Sequence, residues 1–396
     1  MAPSPIGLGA PPVPTRGAPG AVRRTGCGRR LHDLAEQKGT RVELKARLSD
    51  LQSGADKLLA EAAKDIDITL VDIPDSSLAI DWPYLCREMA GDLRAGPEKA
   101  LSDLEAVRKE ILKAGSARMF LTSSASTQQI LAPSIQSLIA NLDKSAPMRA
   151  KYDSRRVIDS RLRERDASAV KPVFVGLLNP NSQGGVFINS APATSYEDTD
   201  RDRILNYLAT NLYGGGGGHS IFMKTAAAGL AYSNGLGNSL ALGRLRYYAE
   251  RTPELPQTLR FVIDQLKGAT PDPSLVDYAI AQAFGGTRSA NSYESRGELM
   301  AQNLADGLTP QIVSRFHQMV LELRSTGDLA GELYRRKDAV SSTVLPGLGP
   351  KVSTVVDGIY FVIGPEKQFA AWEEYLKSIE GADTVVYRLY ARDFWM

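Results

Sequence analysis

Three histidines, His32, His219 and His317, and two cysteines, Cys27 and Cys86, are the residues of this 396-residue chain best suited to bind a metal. A tetrahedral zinc site needs three or four such ligands converging, usually with two of them a few residues apart. Here no two histidines are close in sequence, and neither H-x-x-E-H nor H-E-x-x-H occurs. No metal site is expected in this chain. Asp198-x-Asp200-x-Asp202 begins like a calcium loop, but Arg203 stands where the turn needs glycine and Ala209 where the closing Glu belongs. Those acids suit a helix N-terminus better. Lys224-Thr225 follows the five glycines Gly214–Gly218. A phosphate loop needs glycine directly before the lysine, and Met223 is there, so nucleotide binding is not expected. Gly218-His219-Ser220 fails as a nucleophile elbow because Phe222 occupies the second glycine position.

The glycine run itself remains. Five glycines cost more chain entropy on ordering than any other five residues. Either backbone approaches something closely there or the loop moves. Gly214, Gly215, Gly216, Gly217 and Gly218 are expected to form a flexible loop.

The residues around that loop resemble the second half of the pitrilysin-like zinc peptidases. Three features carry the resemblance: the glycine-rich end of a helix, Tyr213 to Gly218; the run Gly229-Leu-Ala-Tyr-Ser-Asn-Gly; and Arg246-Tyr-Tyr-Ala-Glu-Arg-Thr-Pro-Glu-Leu-Pro-Gln-Thr-Leu-Arg-Phe-Val262. The family's zinc chemistry rests on H-x-x-E-H in its first half. Because this chain lacks it, the resemblance implies a non-catalytic half that closes the chamber and binds peptide. The expected partners are a peptide substrate and a zinc-bearing half or subunit, with no cofactor held by this chain and no activity on its own. In the family the second half directs an Arg and a Tyr, seven residues apart, toward substrate. Tyr232 matches the Tyr, Thr225 stands seven positions earlier, and Lys224 is the nearest cation. Tyr232, Lys224 and Thr225 are thus the implied substrate-binding residues, with no catalytic residue. A packed strand aromatic is the equal alternative for Tyr232. The rival function is a catalytically inactive scaffold or assembly subunit of the same family.

Composition bounds the rest. At 43% hydrophobic and 23% charged the chain reads as an ordinary globular protein. A net charge of +2 gives no argument for nucleic acid. No apolar run reaches the roughly 18 residues that span a bilayer, and no secretory signal is seen. Residues 1–30 are rich in Pro, Gly and Arg, with no acid before Asp33. An organelle transit peptide would share that bias, but the segment is poor in Ser and has no amphipathic period, so a disordered tail is expected. Cys27 falls in that tail, so both cysteines are expected to be free thiols.

The elements follow from periodicity. Residues 31–150 read as a partial, mostly helical family domain. Within it, Leu101, Leu104, Val107, Ile111 and Leu112 mark one inward helix face, and Ile130, Leu131, Ile135, Leu138 and Leu142 another. Ile66–Ile73 and Arg118–Thr122 alternate like strands. Residues 151–172, a mixed run of charges, read as a linker. Residues 173–396 read as a complete C-terminal domain. Its strands are expected at 173–178, 185–189, 230–233, 242–248, 359–363 and 385–390. Its helices are expected at 199–213, 256–267, from Ser274 with a Ser274–Asp277 capping box, from Thr309-Pro310, and at 368–378. Arg118–Thr122 with its helix and Ile359–Ile363 with its helix form a faint internal echo. The fold class that the resemblance implies is α+β, an antiparallel-rich sheet covered on one face by helices.

Overall fold

The computed structural model describes residues 19–94, 96–117, 119, 121–147, 157–169, 173–214, 220–284 and 292–390. The chain divides into two compact units, Met1–Val107 and Arg108–Met396.

The first unit is helical. α1 (Pro19–Ala35), α2 (Arg41–Gln52), α3 (Lys57–Asp72) and α4 (Leu78–Asp92) pack on one another, and α5 (Pro97–Ile111) runs across the boundary between units. α2 opens with a capping box between Thr40 and Glu43, and Asp56 caps α3 by accepting from Leu58 N at 3.2 Å. Leu31, Leu44, Leu48, Leu59, Ile66 and Trp82 are fully buried, and the Trp82 indole donates to the Leu34 carbonyl at 3.1 Å.

Three expectations are corrected here. The disordered tail does not reach residue 30, because α1 starts at Pro19; residues 1–18 lie outside the described residues. Cys27 is accordingly buried on α1, and it and buried Cys86 are free thiols. Ile66–Asp72 belongs to α3 and Ile73 is its C-cap, so no strand forms there. The sequence there satisfies both periods, but Leu59, Ala62, Ala63, Ile66 and Leu70 form the buried stripe while Ile68 and Val71 face solvent. The helical repeat buries more apolar surface than the alternation would.

In the second unit, α6 (Ala125–Ala140) and α7 (Val157–Arg165) precede a six-stranded sheet. Arg118 and Phe120 lie outside the described residues; of the expected strand, Met119, Leu121 and Thr122 are described and form none, while the second copy of the echo has its strand. The inward faces expected on two helices are not inward: no residue of α5 or α6 is buried.

The strands are β1 (Phe174–Leu178), β2 (Gly185–Pro192), β3 (Ser233–Ser239), β4 (Arg244–Thr252), β5 (Ile359–Gly364) and β6 (Val386–Leu389), in the order β3-β4-β2-β5-β1-β6. β1 runs parallel to β5 and β6, and the pairs β2–β4, β2–β5 and β3–β4 are antiparallel. The class is α+β, as expected. α8 (Arg201–Gly214), α10 (Leu255–Lys267) and α15 (Glu366–Glu380) pack on one face. There Phe187 of β2 meets Trp372 edge-on at 4.9 Å, and Gly176 of β1 leaves room for the Phe369 ring, which a Cβ would meet at 2.8 Å. Short α9 (Ile221–Ala227) lies beside α10 and β3. α11 (Val276–Ala283), α12 (Tyr293–Ala305), α13 (Pro310–Leu323) and α14 (Leu329–Ser341) complete the unit. Thr309 caps α13 as expected, accepting from Ile312 N. The Ser274 capping box does not form: Asp272 accepts from Ser274 N and Oγ, because an Asx turn reaches those donors first.

The expected linker contains α7, and it is a packing element. Leu162 of α7 is buried with Val175, Phe361 and Leu389 on the sheet face opposite the helix layer. α7 thus covers the β1, β5 and β6 part of that second face.

Candidate functional site: an open trough on the second sheet face

Strand pleating decides what the rest of the second face presents. On β4, Leu245, Tyr247 and Ala249 are buried toward the helices, so Arg244, Arg246 and Tyr248 point the other way. Their partners on β3 are Ser239, Gly237 and Gly235. On β2 the same face carries Ile188 and Ser190. Because β3 has two glycines in this row, the face sinks into a trough of about 630 Å3 over β3 and β4, with Arg244 and Arg246 lining it. Among the described residues no acidic side chain lines it. β3 ends the sheet, and among the described residues no further strand pairs with it.

Neutral groups lie beside both arginines. Arg244 Nε donates to Ser190 Oγ at 2.8 Å and its Nη2 to the Asp357 carbonyl at 2.8 Å. The Arg246 guanidinium lies 5.1 Å from the Tyr248 ring centroid. Such an arrangement offers charged hydrogen-bond donors at strand spacing beside an aromatic ring that lies against Gly235, with open space over Gly237.

The glycine run touches this region at both described ends. Gly214 closes α8 against the backbone of Leu236 in β3, and Ser220 lines the trough. Gly215, Gly216, Gly217, Gly218 and His219 lie outside the described residues.

The residues singled out by resemblance are placed differently from one another. Tyr232 immediately precedes β3, is 73% exposed, and donates its backbone N–H to the Glu250 carbonyl. Arg251, at φ 52°, stacks its guanidinium 4.7 Å from the Tyr232 centroid. Tyr232 is therefore not a packed core aromatic. Lys224 is exposed on α9. Thr225 is fully buried, so of the three only Tyr232 and Lys224 present side chains at the surface. Neither lines the trough; Tyr232 and Arg251 stand at the end of the β3–β4 pair, beyond Gly235 and Tyr248.

His32 lies on α1 of the first unit and His317 on α13 of the second. Among the described residues no group of three or more His, Cys, Asp or Glu is placed to hold a metal ion, so the side chains described do not fit zinc. Asp198 and Asp200 do sit before α8: Asp198 accepts from Ser195 N, and Asp200 from Asp202 N. No helix among the described residues is long and apolar enough to cross a membrane.

The trough residues carry a signal in the sequence. Arg244-x-Arg246-x-Tyr248 alternates at strand period, and Gly235-x-Gly237 does so beside it. Together they announce a charged open face over a bare edge.

No protein-family model matches this sequence, and no curated protein matches it. Among solved structures the chain is similar to a protease from Helicobacter pylori, at 11% identity, over 62% of this chain and 54% of that one, with a TM-score of 0.40. It is similar to a predicted insulinase family protease from Yersinia pestis at 14% identity, over 64% and 54%, with a TM-score of 0.37. It is also similar to the first half of the periplasmic protease PqqL from Escherichia coli at 8% identity, over 91% and 76%, with a TM-score of 0.37. The chain spans about half the length of the first two. The fold and its open face define an α+β protein built on one mixed sheet, with a trough over β3 and β4.

Proposed function

We propose that this chain is the non-catalytic, peptide-binding half of an insulinase-like zinc metallopeptidase, completed by a zinc-bearing half. The observation that carries the reading is the trough over β3 and β4, long enough for an extended segment and lined by polar donors. A peptide laid along β3 passes Arg244, Arg246 and Tyr248 in turn and ends at Tyr232 and Arg251, with Lys224 on the neighbouring helix. The sequence resemblance supplies the role; the zinc and its activated water belong to the other half.

Gly237 provides the test. A Cβ at Gly237 meets nothing within 4 Å and its φ is not positive, so a tryptophan there fits the strand and fills the trough. Gly237→Trp should leave the melting temperature unchanged and weaken binding of fluorescent unstructured peptides measured by anisotropy. Unchanged binding would sink the reading.

A second reading, an assembly subunit without peptidase role, is favoured by the exposed apolar side chains Leu101, Leu104 and Ile111 on α5 and Ile130 and Leu138 on α6. It requires a stable partner recovered with the native chain that carries no H-x-x-E-H, and peptide binding that Gly237→Trp does not touch.

A further inference from the structure

We infer that a cleft between α12 and α13 binds medium-chain carboxylic acids, with the aliphatic chain between the helices and the carboxylate on Arg296. The cleft shares no lining residue with the trough and does not rest on the peptide-binding reading.

The cleft exists because α12 does not close on its neighbour. α12 and α13 are consecutive helices joined by residues 306–309. Gly297 is the one buried residue of α12. Its apolar side chains Leu299, Met300 and Leu304 instead line a cavity of about 440 Å3, with Leu308 and Val313 also in the lining. Both walls leave apolar surface in water, and an apolar chain laid between them removes it from water on both sides. Ligand pockets of this size commonly lie between helices. The walls are aliphatic side chains and a methionine, which adapt to a flexible chain better than to a rigid ring.

Length and polarity fix the class of ligand. Arg296 to Leu304 spans about 12 Å of α12, and Pro310 to His317 about 10 Å of α13, at 1.5 Å per residue. Arg296 and His317 are the lining residues farthest along each helix from the connection. The cleft therefore has one polar mouth and a mainly apolar length beyond it.

Arg296 is the charge that a head group meets there. Its guanidinium lies 5.8 Å from the Tyr293 ring centroid, and among the described residues no carboxylate is within ion-pair distance of it. Among the described residues no acidic side chain lines the cleft either. His317 adds no charge, because burial holds its imidazole below the ordinary 6.5, and its Nε2 is buried. One fixed positive charge matches a head group with one negative charge. A planar guanidinium pairs with a carboxylate through two parallel hydrogen bonds. A phosphate monoester brings close to two charges and would be left half neutralised.

The experiment is calorimetric titration of the full chain with octanoate, decanoate and octanol. Decanoate should bind saturably at one per chain and about tenfold tighter than octanoate, since each buried methylene is worth roughly threefold to fourfold. Octanoate should bind about threefold to tenfold tighter than octanol, which has the same chain length and no charge. Arg296→Gln should abolish that second ratio while leaving octanol affinity and the melting temperature unchanged. Arg29→Gln, which removes an exposed charge from the first unit, should leave the ratio intact. Ser314→Phe, at an exposed position of α13 that lines the cleft, should weaken all three ligands without unfolding the chain. Absence of saturable decanoate binding overturns the inference and leaves the cleft to a partner helix. Binding that Ser314→Phe does not touch puts the ligand elsewhere and overturns it too. Equal weakening of octanoate and octanol by Arg296→Gln would mean that the guanidinium does not read the head group, and would overturn the carboxylate assignment.

Discussion

Gly214, the last residue of α8, abuts the backbone of Leu236 in β3 so closely that a Cβ on it would lie 2.6 Å from the Leu236 carbonyl oxygen. This is the physical reason for at least one of the five glycines: close backbone approach where a helix end meets the edge strand. The obstacle is backbone in a paired strand and cannot swing aside. Gly214→Ala should therefore destabilise the chain by about 1–3 kcal/mol, outweighing the roughly 0.5–1 kcal/mol that alanine contributes in a helix. Gly237→Ala, with open space around the new methyl, should be neutral or slightly stabilising. Urea midpoints of the two variants check both expectations, and equal stability would place the α8–β3 contact elsewhere.

How much of this could be read beforehand depends on which physical term dominates locally. Strands β1, β2 and β5 are short apolar or alternating runs between breakers, and the sequence alone locates them. Thr309-Pro310 is equally legible, since a cap followed by proline at the first helical position has one structural meaning. Ile66–Ile73 is not, because its residues satisfy both periods and the choice falls to the neighbours that bury Ile66 and Leu70. α7 is missed for a related reason: six of its nine positions are polar or charged, and the docking on the sheet rests on Leu162 and partly buried Ile158. Within the site, Tyr232 is legible as an exposed aromatic only after the chain is folded, because exposure at a strand end depends on which elements stop short of it. The role of Arg244 and Arg246 depends on strand parity, which is fixed by the burial of Tyr247 between them.

Thr225 tests how far the resemblance extends. The family's Arg would fall on this position, yet Thr225 is fully buried. Thr225→Arg would bring an uncompensated charge into the α9 packing, which typically costs about 3–5 kcal/mol. We expect loss of folded protein by circular dichroism, and no gain in peptide affinity. Lys224→Ala, on the exposed neighbour, should leave the melting temperature unchanged and weaken peptide binding. A stable Thr225→Arg protein with tighter peptide binding would show that α9 can turn this position outward.

Tyr232 and Arg251 form an exposed cation–π pair at the end of the trough's line. Exposed pairs of this kind contribute about 0.5–1 kcal/mol, so Tyr232→Ala should lower stability by no more than that. Tyr232→Phe keeps the ring and removes only the hydroxyl, so its stability should match wild type. If that hydroxyl donates to a bound peptide, Tyr232→Phe weakens peptide affinity by the net value of one hydrogen bond, about 0.5–1.5 kcal/mol. A peptide affinity equal to wild type in both variants would remove Tyr232 from the site.

His317 gives the second unit a pH dependence whose sign is fixed by burial. Its ring lies 4.5 Å from Phe284, and Nε2 is buried without a hydrogen-bond partner. Burial lowers its pKa below the ordinary 6.5, with a hydrogen bond to the Ala283 backbone opposing the shift. The unfolded chain therefore takes up a proton at this position at higher pH than the folded one. Its contribution to stability is complete above pH 6.5 and is lost as pH falls from there through the depressed folded value. Denaturation midpoints measured from neutral pH downward should fall across that window in the wild type. They should fall less in His317→Gln, which cannot titrate there. A His317→Gln profile parallel to wild type would mean that His317 titrates alike in both states, and the loss at low pH would have to come from other groups.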